Sequence, residues 1–127
     1  MAVQIGISIP EWNIEEETGY KPITTFWQDF SIADKFGLPA IRDTFDRAFA
    51  EWKGNYKYLT ELVMVLNHKI WQFYNMSKKA LEEGNETLAK KCEAYSRLYD
   101  ELWRKADGYA CYYLKGEEAV YYFNVTD

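Results

Sequence analysis

Residues 86–115 read ETLAKKCEAYSRLYDELWRKADGYACYYLK and carry the most regular apolar pattern in the chain. Apolar and aromatic residues recur there at alternating steps of four and three, the heptad spacing of a helix packed along another helix. The seam consists of Leu88, Cys92, Tyr95, Tyr99, Leu102, Ala106, Tyr109 and Tyr113. The pattern predicts one long helix that Gly116 ends.

The pair Asp107-Gly108 lies inside this stretch and is typical of turns, which leaves a second interpretation open. A helix that ended there would leave 109–114 and 119–125 as two strands, joined by the alternating apolar residues of 3–9. We favour the continuous helix because the seam passes through Tyr109 and Tyr113 without a slip. Residues 117–123 fit a short helix or an edge strand, and two glutamates at their start favour the helix.

The preceding segment, 55–83, predicts the antiparallel partner of this helix. Its apolar stripe consists of Leu59, Leu62, Val63, Leu66, Ile70 and Phe73. Gly84-Asn85 supplies a short turn between the two helices. Two helices of this length joined by a short turn form a long antiparallel helical hairpin. We expect Leu66 and Leu102 to be almost fully buried within it.

Two shorter helices are predicted before the hairpin. Thr25 fits an N-cap with Gln28 completing a capping box, and Gly37 ends that helix. A second apolar stripe begins at Leu38 and reaches Gly54, which interrupts it. Residues 1–24 are acidic and rich in turn formers, so they predict an extended arm. The predicted fold is an all-α bundle, with 25–127 as a single helical domain.

Charge and composition exclude several classes of protein. The 127 residues carry a net charge of −5, but the basic and acidic residues of 25–114 balance. This balance lacks the basic excess of a nucleic-acid-binding domain. The longest apolar run is too short to cross a bilayer, and no basic segment precedes an apolar one at the N-terminus. Cys92 and Cys111 lie too far apart on one helix to pair. We therefore expect a cytoplasmic protein.

Candidate catalytic groups are sparse. His68 is the only histidine, and two distant cysteines complete no zinc site. Glu61 lies on one long helix, and Asp100 and Glu101 on the other, so two acids could meet across the hairpin. The spacing of Asp100 to Arg104 instead predicts an ordinary surface pair. We expect no catalytic residue, no metal and no cofactor, and therefore no enzyme.

Aromatic content gives the best indication of function. Aromatic residues make up 18% of the chain and include 11 tyrosines. Several cluster near the C-terminus, where one helix face cannot bury Tyr112, Tyr121 and Tyr122 together. These three are the candidate protein-binding residues, since exposed aromatic patches mark interfaces. The alternative is that the acidic arm folds back and covers them.

Two further surfaces give alternative functions. Lys78, Lys79, Lys90 and Lys91 flank the predicted hairpin tip and could form a basic knob for nucleic acid or an acidic partner. Nearby glutamates cancel most of that charge, which favours an ordinary solvated turn. The tyrosine-rich end could also join copies of the chain into a structural homo-oligomer.

Most of the chain resembles a group of small uncharacterised proteins from phages and mobile elements of gut Firmicutes. The resemblance rests mainly on 24–74, TTFWQDFSIADKFGLPAIRDTFDRAFAEWKGNYKYLTELVMVLNHKIWQFY. It extends to 8–22, SIPEWNIEEETGYKP, and to 98–127, LYDELWRKADGYACYYLKGEEAVYYFNVTD. The resemblance implies a cytoplasmic accessory protein of a mobile element. By analogy, we expect it to bind a host protein without turnover and to inhibit a host defence system.

Overall fold

The computed structural model describes residues 16, 19, 21–51 and 55–113, and gives only the backbone for 56 and 109–113. Within these ranges lie four helices and no strand: α1 (Phe26–Asp34), α2 (Leu38–Glu51), α3 (Tyr56–Glu82) and α4 (Glu86–Tyr113). The all-α class, with two shorter helices and a long hairpin, is confirmed. Most of the arm, 1–24, lies outside the described residues.

Contacts divide the chain into two compact units, one ending at Glu61 and the other beginning at Leu62. The boundary therefore falls within α3. The single domain expected over 25–127 stays a prediction.

In the first unit, α1 and α2 pack against each other. Gly37 connects them at a φ of 115°, a conformation that glycine adopts without strain. The apolar stripes of both helices point inward, as the periodicity predicts. Their buried apolar residues are Phe26, Phe30, Ala33, Ile41, Phe45 and Ala48.

The predicted capping box at α1 is wrong. Thr25 is the N-cap, but its side chain makes no capping hydrogen bond. Its hydroxyl instead donates to Asp29 Oδ2 at 3.0 Å, because an ionised carboxylate is a strong acceptor. The hydroxyl of the preceding Thr24 accepts from the Phe26 N–H at 3.2 Å. Thr24, and not Thr25, therefore supplies the side-chain acceptor for an amide at the start of α1.

In the second unit, α3 and α4 form the predicted antiparallel hairpin. Gly84, at a φ of 79°, turns the chain, and the Asn85 N–H donates to the Ala80 carbonyl at 2.8 Å. The Asn85 side-chain oxygen accepts from the Leu88 N–H at 3.1 Å. Asn85 therefore caps α4, since it satisfies one of the amides that a helix start leaves unpaired.

Two serines fix the register of the hairpin. Ser77 Oγ donates to the Ala89 carbonyl at 2.9 Å, and Ser96 Oγ donates to the Ile70 carbonyl at 3.0 Å. From Ser77 to Ile70 on α3 is seven residues, and from Ala89 to Ser96 on α4 is also seven. The two bonds therefore agree on one antiparallel register. Between these bonds on α3, Phe73 packs on the rings of Tyr95 and Tyr99. Beyond the Ser96 bond, Leu66 and Leu102 are buried as predicted.

The last helix runs through Asp107-Gly108 and continues to Tyr113. The alternative in which 109–114 form a strand is therefore wrong over 109–113. The physical reason is the seam: Leu102 and Ala106 are buried just before the pair, and Gly108 is exposed, so packing holds the helix together there. The predicted end near Gly116 and the state of 117–123 lie outside the described residues.

Candidate functional site

An aromatic pair lies exposed on the outer face of α3. Trp71 is 53% exposed and Tyr74 45% exposed, although both have large apolar surfaces. Their ring centroids are 5.6 Å apart and their planes are at 89°, the edge-to-face geometry that aromatic rings prefer. Each ring therefore helps to hold the other in place at the surface.

The pair is part of a longer row that we call the α3 stripe: Trp71, Tyr74, Lys78 and Leu81. The spacing is three, four and three residues, so the four side chains share one helix face. Lys78 Nζ lies 5.5 Å from the Tyr74 ring centroid, within cation–π range. Leu81 is 58% exposed and ends the stripe. The stripe presents three large apolar side chains around one cation.

The opposite face of the same segment explains why these residues point outward. Phe73 packs with ring centroids 4.8 Å from Tyr95 and 5.8 Å from Tyr99. The buried face also takes up Lys69, whose Nζ donates to Gln72 Oε1 at 3.2 Å. The chain thus buries a lysine and exposes a tryptophan only two residues later.

Sequence reasoning missed the α3 stripe, although a signal was present. The predicted core stripe of this helix includes Leu66, Ile70 and Phe73, and Trp71 points away from it. Tyr74 follows Ile70 by four residues and therefore lies at the edge of that stripe. A tryptophan outside the predicted core face of a helix, with a tyrosine three residues later, is a detectable sign of an exposed patch.

The predicted tyrosine cluster lies outside the described side chains. Tyr112 belongs to α4 by its backbone, and Tyr121 and Tyr122 fall beyond the described ranges. Their role as contact residues stays a prediction.

The four lysines of the predicted basic knob are all exposed on either side of Gly84. Three glutamates beside the same turn, Glu82, Glu83 and Glu86, are exposed as well. The turn therefore mixes both signs of charge, as its sequence indicates. Lys78, one of these four lysines, has its ammonium over the Tyr74 ring.

The buried carboxylate of Glu61 has a structural role. Glu61 is 1% exposed and accepts the Ile23 N–H at 2.7 Å and the Thr24 N–H at 2.8 Å. It also accepts the Thr24 hydroxyl. These bonds tie the segment before α1 to α3, because they satisfy backbone donors that no helix uses. On α4, Asp100 accepts Arg104 Nε at 2.9 Å, so the predicted surface pair is confirmed.

Two further reactive side chains among the described residues lie on α3 and α4. His68 is half-buried on α3. Burial raises the pKa of the Cys92 thiol above its ordinary value, so the thiol stays protonated and a weak nucleophile. Among the described residues, no three histidine, cysteine, aspartate or glutamate side chains group closely enough to hold a metal ion. None of the described helices is long and apolar enough to cross a membrane.

An open groove of about 720 Å³ lies on the first unit, between α1 and α2. Ile32 and Phe36 contribute apolar surface, and Asp43 and Asp46 are among its acidic residues. The Thr44 hydroxyl in the groove donates to the Ala40 carbonyl at 2.8 Å. It also accepts Arg47 Nη2 at 3.3 Å. These polar atoms are thus engaged within α2 itself.

Comparison with protein-family models, curated proteins and solved structures finds no match for this chain.

Proposed function

We propose that this protein acts by stoichiometric binding to another protein and that the α3 stripe is its contact surface. The observation that carries the proposal is the exposed, edge-to-face pair of Trp71 and Tyr74. Tryptophan and tyrosine are enriched among the few residues that contribute most of the energy of protein interfaces. Their mutual contact also restrains the rings before binding, which lowers the entropy lost on association.

The placement of these rings supports a binding role over an accident of packing. Burying a large apolar side chain stabilises a fold by about 1.5–3 kcal/mol. A chain that buries Lys69 and leaves Trp71 half in water forgoes that gain. A partner that covers Trp71 and Tyr74 recovers it in the complex.

The resemblance to phage and mobile-element proteins supports the rest of the proposal. We propose an accessory protein of the host cytoplasm that binds a host protein, including a component of a defence system, and blocks it without turnover. Tyr112, Tyr121 and Tyr122 remain the second candidate surface for such a partner.

Affinity capture from a lysate of the bacterial host tests the proposal. Wild type, Trp71→Ala with Tyr74→Ala, and Tyr121→Ala with Tyr122→Ala serve as baits. Ile32→Ala is the matched control, because Ile32 is a similarly exposed apolar residue, at 57%, in the other unit.

We expect the α3 double variant to reduce capture of a retained protein at least about tenfold, which corresponds to roughly 1.4 kcal/mol. The control variant should capture as wild type does. Equal capture by the α3 double variant and wild type would exclude the stripe as the surface. Loss with the Tyr121 and Tyr122 variant alone would move the interface to the C-terminal tyrosines. Capture of nucleic acid that salt abolishes would favour a regulator that uses the basic knob.

A further inference from the structure

We infer that the α3 stripe binds the same stripe of a second copy of this chain, with the two helices antiparallel across a two-fold axis beside Met76. The inference rests on the proposed function because it uses the same contact surface, for which a second copy and a host protein would compete. Closed two-fold dimers use one self-complementary patch, in which residue i contacts j and j contacts i. The order of residues in the stripe meets this requirement.

The ends of the stripe match each other. Residues equally far from Met76 face each other when two antiparallel copies share an axis at that point. Trp71 then faces Leu81 of the second copy, and the same pair repeats on the other side of the axis. Both side chains are more than half exposed in the single chain, at 53% and 58%. The pairing brings two large apolar surfaces out of water at each end.

The centre of the stripe matches as well. Tyr74 faces Lys78 of the second copy, the pair of side chains that already meets within one chain at 5.5 Å. Each ammonium then lies beside two tyrosine rings. Attraction between a cation and an aromatic ring strengthens as water is removed, which offsets part of the cost of covering the charge.

The neighbouring position fits the same axis. Asn75 is exposed and lies beside Met76, so the two copies bring Asn75 close to its own symmetry mate. An amide side chain both donates and accepts hydrogen bonds, so two asparagines can pair with each other.

Other registers lose these contacts. If the second copy slides by seven residues along α3 in one direction, its Leu81 lies opposite Met64. Met64 is buried in its own chain at 1% exposure. A shift in the other direction places Trp71 opposite position 88, beyond the turn at Gly84. The axis beside Met76 is therefore the register that uses all four residues of the stripe.

The size of the surface sets the strength of the dimer. The stripe spans eleven residues from the first side chain to the last, or about 15 Å of helix. Stable complexes bury roughly 1,200–2,000 Å², and one short helical stripe provides less. We expect a dissociation constant between about 1 μM and 1 mM, or roughly −8 to −4 kcal/mol.

Sedimentation velocity over a concentration series up to about 1 mM tests the inference within this affinity range. The wild-type mass should rise with concentration from 15.0 kDa towards twice that value. Trp71→Ala and Lys78→Glu should each weaken association at least about tenfold. Lys78→Arg keeps the cation and Ile32→Ala changes another surface, so both should associate as wild type does. Circular dichroism checks that each variant is folded.

The axis itself has a second, independent test. A spin label on Asn75→Cys should report a short distance between the two copies of the dimer, whereas a label on Lys91→Cys should report a longer one. Both variants carry Cys111→Ser, and Cys92 is buried.

A wild-type chain that stays monomeric throughout overturns the inference, and so does a dimer that the stripe variants leave unchanged. Loss of lysate capture by the α3 double variant, with a monomeric wild type, would leave the proposed function standing and remove only the second copy as partner. Dimerisation with no captured host protein would support the inference and reject the host partner.

Discussion

The two halves of α3 differ in which side chains they bury. Every residue of 59–66 is buried, including the carboxylate of Glu61, whereas 67–82 are buried on one face only. In the second half a lysine is inside and a tryptophan is outside. The comparison shows that hydropathy alone does not decide which side of this helix is covered. The position of a residue around the helix decides whether its side chain is buried. The buried polar side chains, Glu61 and Lys69, are held by hydrogen bonds, and the exposed apolar side chains form a surface.

The largest expected difference between the two halves is in the free energy of unfolding when a large side chain is removed. Leu66→Ala removes a fully buried leucine and should lower the free energy of unfolding by about 2–5 kcal/mol. Trp71→Ala removes a larger side chain from the exposed face and should change it by less than about 0.5 kcal/mol. Urea denaturation followed by circular dichroism measures both at low protein concentration. Equal losses would mean that the Trp71 face is part of the core.

The next effect concerns the buried carboxylate. Glu61→Gln keeps the size of the side chain but replaces one acceptor oxygen with a donor, so a backbone N–H of Ile23 or Thr24 loses its partner. We expect destabilisation of about 1–3 kcal/mol, the usual cost of a buried polar group left unsatisfied.

Glu82→Gln is the matched control for this change, because Glu82 is exposed at the other end of the same helix. It should leave unfolding within about 0.5 kcal/mol of wild type. Hydrogen exchange should also accelerate at the Ile23 and Thr24 amides in Glu61→Gln alone. Unchanged exchange at both amides would contradict the structural role of Glu61.

Sequence periodicity predicted the hairpin because both long helices repeat apolar residues at helical spacing over many turns. It also predicted that α4 passes through Asp107-Gly108, since a regular seam outweighs one turn-forming pair. The capping box failed because the Thr25 hydroxyl donates to Asp29 instead of capping the helix. The contact of Thr24 with Glu61 could not be predicted, because the two residues lie far apart along the chain. The α3 stripe was not predicted because the density of tyrosines points to the C-terminus, whereas the stripe depends on where Trp71 and Tyr74 lie on a helix face.

The smallest effect lies within the exposed half of α3. Lys78→Met keeps most of the aliphatic stem and removes the ammonium that lies 5.5 Å from the Tyr74 ring centroid. A cation–π contact at an exposed site contributes about 0.5–1 kcal/mol, and the loss should lie at the lower end because water screens the charge. Lys79→Met controls for helix propensity and net charge, since Lys79 is the adjacent exposed lysine. The difference between the two variants in urea denaturation, at concentrations where the chain is monomeric, isolates the contact.

A Lys78 variant as stable as the Lys79 variant would show that the cation does not restrain the Tyr74 ring in the free chain. The contact with the Trp71 ring would then be the one that holds the Tyr74 ring in place for a partner.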